Sequence, residues 1–393
     1  MAVTQGKDGL YGPTQVTLTT VSDIIALKGT AAQLVGGARI VINPSDPELQ
    51  GSGALSAPQV VNIFLKDKGG DVKASYATHG DVLWPQDFSS WNMVSLYFNF
   101  EQATLYWLNE VGATAQDVAS AKVYYDVSYT VPGASTAQVD DLVYVPAVQG
   151  FAVLPLKALQ ATPLAMNSGA VANEMAHRLF HEKVYGGDPL SSALSGWASS
   201  LAPSPANVLQ SVDDGLADFH AYGASCSTVY GCNARFLAGS VADSIVQARD
   251  FSAPSACMTA GLQNVLKSYG FNAFVSGGYD LQLGTLLAAA LYRTELATGD
   301  RRTLEKAVFA AYSDASAASP GLAQRIALNL NQPNLFTLGA VANGFVQHLA
   351  DSRTQLELCR QLGDRLQLPM TDLPACPPGA TPPGNCPSLL GTP

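Results

Sequence analysis

Hydrophobic and polar positions divide the chain near residue 163. Before it, short apolar or alternating runs are separated by Gly and Pro, which is the pattern of half-buried strands. Such runs cover 15–20, 38–43, 60–66, 121–131, 141–145 and 151–154, with a turn expected at Pro132-Gly133. One stretch in this half has helical spacing. Within 88–111, Val94, Tyr97, Phe98, Leu105 and Leu108 recur at helical intervals, and Gly112 stands where a helix-ending glycine belongs. After Pro163 the period becomes helical throughout. Helices are predicted over 168–184, 212–224, 234–250, 256–269, 282–298, 302–313, 321–329 and 338–361. From Pro369 the chain is rich in Pro and Gly and reads as an extended tail pinned by its cysteines.

The pattern predicts an α+β protein with no internal repeat. A β-rich segment over 1–80 precedes a mixed α/β lobe over 81–166. A helical lobe over 167–366 follows, and 367–393 form the tail. The length of 393 residues is enough for two domains or one large two-lobed domain.

Charge and cysteine content narrow the function classes. Charged residues are 13% of the chain, the formal net charge is −10, and Lys and Arg form no runs. Nucleic acid and anionic membranes are therefore poor partners. No apolar stretch is long enough for a transmembrane helix. The six cysteines form no CxxC pair and have no histidines at zinc-finger spacing, which favours disulfides and a secreted or cell-surface protein. Cys226 with Cys232 and Cys376 with Cys386 are the expected short bridges. No signal peptide is legible at Met1-Ala2-Val3-Thr4, so a secreted protein would be present here in mature form with an added initiator Met.

Candidate chemistry sits in the helix over 168–184. The run Asn173-Glu174-Met175-Ala176-His177 has the form of a zinc-binding HExxH helix with its first histidine replaced by asparagine. Asn173 and His177 lie one turn apart, and Glu174, His177 and His181 fall along one stripe. A second run follows at Asp213-Asp214-Gly215-Leu216-Ala217-Asp218-Phe219-His220, in which Asp214 and Asp218 share a helix face. His181 and His220 read as packed structural residues, and Asp213 as an N-terminal helix carboxylate.

Together the two runs resemble the gluzincin metallopeptidases, the thermolysin- and fungalysin-like superfamily. The stretches 92–112 and 284–314 are similar to further helices of that family, so the likeness covers about residues 85 to 330. It implies a thermolysin-like two-lobed fold with an added β-rich N-terminal segment. It also implies roles. Glu174 would be the remnant general base, and His177, Asp214 and Asn173 would stand at the metal-ligand positions. Asp218 would orient a ligand histidine, and His181 would lie nearby.

The chain departs from the family at Asn173, at Asp214 in place of a ligand glutamate, and around 278–284, where no oxyanion-stabilising histidine appears. The expected function is therefore a secreted, catalytically inactive peptidase homologue that acts as a binding or structural protein. No cofactor is expected on this reading. The partner would be a protein or extended peptide in the cleft, or another copy of the chain. Two alternatives remain. One is an active metal-dependent endopeptidase with an atypical ligand set, holding zinc or a harder divalent ion. The other is a structural subunit of an extracellular assembly.

Overall fold

The structure is a computed structural model. It describes the chain except residues 7, 51–54, 132–138, 158–160, 190–203, 227–231, 314–336 and 390–393. The protein is mixed α+β with several small sheets. Two compact units are resolved, and each is described by itself. The first comprises 1–181, 187–191 and 224–246; the second comprises 182–186, 192–223 and 247–393.

The first unit begins with strands β1 (Ala2–Gln5), β2 (Tyr11–Thr14), β3 (Val21–Asp23), β4 (Lys28–Gly29), β5 (Ala32–Gly36) and β6 (Arg39–Val41). Helix α1 (Ala57–Phe64) leads into β7 (Leu65–Asp67), β8 (Gly70–Asp71), β9 (Tyr76–His79) and β10 (Val82–Pro85). The long helix α2 (Phe88–Tyr106) precedes β11 (Ala121–Tyr125), β12 (Ser128–Thr130), β13 (Leu142–Val145) and β14 (Gly150–Val153). The main sheet runs β13-β14-β11-β5-β4-β3, with β8 paired to β5. At its centre β5, β11 and β14 are parallel, and β13 returns antiparallel on β14. Strands from 1–80 thus share one sheet with strands from 121–153. Every residue of β14 is buried, as parallel strands covered on both faces require. One face packs Val60 and Phe64 of α1 with Tyr124, Val127, Ala152 and Leu154. On α2, Phe100 meets Phe151 edge-on at 4.8 Å.

Asp87 caps α2 by accepting the Ser90 N–H at 2.7 Å, and Gly112 ends the helical stretch at φ 93°. Two parallel strand pairs bend at one level. Gly37 (φ 69°) separates β5 from β6, and Asp126 (φ 52°) separates β11 from β12. The Gly37 N–H donates to the Tyr125 carbonyl and the Ser128 N–H to the Ala38 carbonyl, so the bend stays hydrogen-bonded. The run over 121–131 is therefore two strands.

The helices after this are α3 (Ser168–Val184), α4 (Ser204–Cys226), α5 (Ala260–Ser268), α6 (Phe271–Ser276), α7 (Tyr279–Thr298), α8 (Arg301–Ser313), α9 (Leu338–Gln347) and α10 (Ser352–Arg365). In the second unit, α4 and α7 approach through glycines. A methyl group on Gly215 would lie 2.5 Å from the Gly284 carbonyl oxygen, and one on Gly284 would lie 2.8 Å from the Gly215 nitrogen.

Several expectations are corrected. Residues 60–66 belong mostly to α1, not to a strand. Ser56 and Gln59 start that helix, the Gln59 Oε1 accepting the Ser56 N–H at 2.9 Å. Residues 15–20 are not a strand, because the Thr19 and Thr20 N–H groups donate to the buried Glu101 carboxylate. The stretch 234–250 is a series of turns holding only a short 3-10 helix, Asp243–Ile245. There Asn233, Ser240 and Asp243 accept nearby backbone N–H groups and so compete with the helix. The helix expected over 338–361 is broken, and Asp351 caps a new one by accepting the Thr354 N–H at 2.7 Å. Cys376 pairs with Cys359 and Cys386 with Cys257, not with each other; Cys226–Cys232 forms as expected. The expected turn at Pro132-Gly133 and helix over 321–329 lie outside the described residues.

Candidate functional site

Helix α3 carries Asn173, Glu174, His177 and His181. Asn173 and His181 are buried, each 4% exposed, while Glu174 and His177 are half-buried. Glu174 faces the backbone of β13. Its Oε2 accepts the Tyr144 N–H at 2.7 Å. His181 is held at both ring nitrogens. Nε2 lies 2.9 Å from the Asp188 carbonyl oxygen, and Nδ1 lies 3.3 Å from the Tyr144 hydroxyl. A carbonyl can only accept, so Nε2 carries a proton, and in the neutral ring Nδ1 accepts from the Tyr144 hydroxyl. His181 therefore works as a structural link between α3, β13 and the chain beyond the helix.

Strand β13 ends its sheet among the described residues, so one side of its backbone has no strand neighbour there. The residues turned away from β14 are Leu142 and Tyr144, as the pairing register and the Leu154 N–H to Asp141 carbonyl bond require. Both of their N–H groups are already taken. Tyr144 donates to Glu174, and Leu142 donates to the Asp141 carboxylate at 2.8 Å. Desolvation by the chain around it raises the Asp141 carboxyl above the ordinary aspartate range although the residue is exposed, and its bond to the Leu142 N–H works against that rise.

The second motif lies in the other unit. Asp214 and Asp218 are 6% and 1% exposed and sit one turn apart on α4. The Gln210 amide makes long contacts of 3.4 and 3.5 Å to the two Asp214 oxygens. Asp218 is paired at both oxygens with the Arg249 guanidinium, through Nε and Nη2. Arg249 also acts on Asp280 in the first turn of α7, where burial raises the carboxyl and the guanidinium opposes that rise. Tyr185, close to Asp213 and Asp214, has its phenol held well above the ordinary range by burial and by those two charges. His220 is fully buried. Desolvation first, and the Arg301 charge second, push its imidazole down to about 3.

The sequence pattern thus identifies Asn173, His181, Asp214, Asp218 and His220, which are buried, and Glu174 and His177, which are half-buried, but it misses Tyr144, Asp188, Tyr185 and Arg249. Arg249 lies 31 residues from Asp218 in a stretch that reads as a helix face, and nothing in local spacing points to it.

Of the positions that resemble zinc ligands, His177 and Asp214 carry donor types that zinc takes, and Asn173 carries an amide, which it does not favour. Among the described residues, no group of three or more His, Cys, Asp or Glu side chains is arranged to hold a metal ion. No helix among them is long and apolar enough to cross a membrane. No family model matches the chain, and no curated protein matches it.

Proposed function

We propose that the chain is a secreted protein of gluzincin-like, two-lobed build that has lost zinc hydrolysis and acts as a binding or structural protein. The Arg249–Asp218 pair carries this reading. A fixed guanidinium on the carboxylate one turn from Asp214 supplies positive charge to a helix face that would otherwise attract a divalent cation. Asn173 adds a second weakness, since a neutral amide binds zinc poorly.

All six cysteines are in disulfides, which suits an oxidising, extracellular setting. The occupied N–H groups of β13 argue against an extended peptide adding to that strand, which leaves other surfaces for a partner.

Metal analysis of protein purified without chelators tests the reading. Zinc should fall far below one ion per chain, and no peptide cleavage should depend on Glu174. Near-stoichiometric zinc together with cleavage abolished in Glu174→Gln would overturn it in favour of an active endopeptidase with an atypical ligand set.

A further inference from the structure

A groove of about 350 Å³ lies wholly within the first unit. Two runs supply most of its wall: residues 15–18, which follow β2, and residues 81–83, which open β10. Val21, Ile24 and the buried Val94 of α2 give it an apolar floor. Both runs carry unused main chain, and the strand pairing fixes where that main chain points.

Residues 15–18 prolong β2 with no turn, bend or helix. Val16 and Leu18 are half-buried while Gln15 and Thr17 are exposed, which is the alternation of a strand. β2 pairs with β1 in the register Ala2↔Thr14 and Val3↔Pro13. The Val3 N–H turns away from β2 and donates to the Ser95 hydroxyl at 2.8 Å, and Pro13 has no N–H. Ala2 and Thr14 are therefore the hydrogen-bonded pair, and the Thr14 main chain faces β1. Val16 and Leu18 face the same side again, beyond the point where β1 begins. No N–H or C=O of residues 15–18 has a hydrogen-bond partner among the described residues.

The other wall matches. Gly80 (φ 60°) and Asp81 make the two-residue turn of the β9–β10 hairpin, so His79 and Val82 exchange hydrogen bonds. Leu83 then points its N–H and C=O away from β9. The carbonyl accepts the Met1 ammonium at 3.0 Å, so the line of β1 leads along this edge. The outward N–H has no partner among the described residues.

Free amides on two edges call for another main chain; neither a helix nor a bare apolar surface satisfies them. We propose that this groove takes a short extended segment of another protein as an inserted strand in line with β1, bonded to Val16 and Leu18 on one edge and to Leu83 on the other. The floor carries no charged side chain, so the inward side chains of the segment are small and apolar. Four residues of wall span roughly 13 Å at about 3.3 Å each, which sets the length of the segment. The surface is independent of the zinc question.

Acetyl-Thr-Val-Thr-Val-Thr amide tests this on the full chain, with binding and amide hydrogen exchange read by NMR. Saturable binding with a Kd of about 1 mM or tighter is expected, with exchange slowed about fivefold or more at Val16, Leu18 and Leu83 but not at Gln15 or Thr17. N-methylation of alternate residues keeps the peptide's side chains and strips the N–H groups from one edge. It should weaken binding about tenfold or more in the pattern that strips the edge facing Val16 and Leu18. Val16→Pro removes an N–H on the groove side and should also weaken binding about tenfold or more, whereas Thr17→Pro removes one on the far side and should keep it within about threefold. Neither N–H has a partner in the chain, so both variants should keep the wild-type thermal midpoint. No saturable binding, binding unchanged in both N-methylated patterns, or equal loss in the two proline variants would each overturn the proposal. Slowed exchange at Val16 and Leu18 that grows with the concentration of the free chain would overturn it in favour of a second copy.

Discussion

Asp218 has a side chain only 2% exposed, and the Arg249 guanidinium is what makes that burial tolerable. Arg249→Ala strands the carboxylate and should cost about 3–5 kcal/mol in denaturant unfolding. Arg249→Lys keeps the charge but not the two-point geometry, and should fall between wild type and alanine. His220 supplies a separate handle through pH. Its imidazole titrates near 3 in the folded protein, against 6.5 for the free side chain. Between those values the unfolded chain binds a proton that the folded chain does not. Stability must therefore fall as pH drops through that window, by about 1.4 kcal/mol per pH unit at the steepest. Thermal midpoints measured from pH 7 down to pH 4 should decline more steeply in wild type than in His220→Gln. At this scale the candidate residues of α3 and α4 were legible, because helical spacing places them without any knowledge of tertiary contacts. Their partners were not. Tyr144 lies 30 residues from Glu174 and Arg249 lies 31 from Asp218, distances that only the folded chain closes.

Helix packing in the second unit depends on Gly215 and Gly284, each of which meets the backbone of the facing helix. Gly284→Ala should destabilise by about 1–3 kcal/mol through forced separation of α4 and α7, despite alanine's better helix propensity. Gly261→Ala is the control. Its added methyl meets nothing nearer than the Thr259 hydroxyl at 3.8 Å, so it should be neutral or slightly stabilising. The sequence described α2, α3, α7 and α8 well, since long apolar periodicity with clear ends leaves few alternatives. It erred where short-range side-chain bonding decides the conformation. Ser56 and Gln59 turned an apolar, β-branched run into α1, and Asn233, Ser240 and Asp243 broke up an apparent helix. Asp126 interrupted a run that reads as one strand, because Asp accepts a left-handed backbone that most residues resist.

Across the whole molecule, the disulfides constrain very different lengths of chain. Cys257–Cys386 spans 129 residues and Cys359–Cys376 spans 17. On a chain-entropy basis the first should contribute about 5 kcal/mol and the second about 3 kcal/mol. Cys257→Ser with Cys386→Ser should therefore lower the unfolding free energy more than Cys359→Ser with Cys376→Ser. Both bridges also hold the tail, so limited proteolysis should cut after residue 366 sooner in either double variant. The outer rim of the main sheet has a consequence for how copies of the protein behave in a crowded medium. Sheets grow when a bare rim offers its amide hydrogens to a neighbour, and here two acidic side chains already hold them. A strand arriving at the β13 rim would find those two amide hydrogens already engaged, so the contacts that tie down Glu174 also weaken that rim as a template.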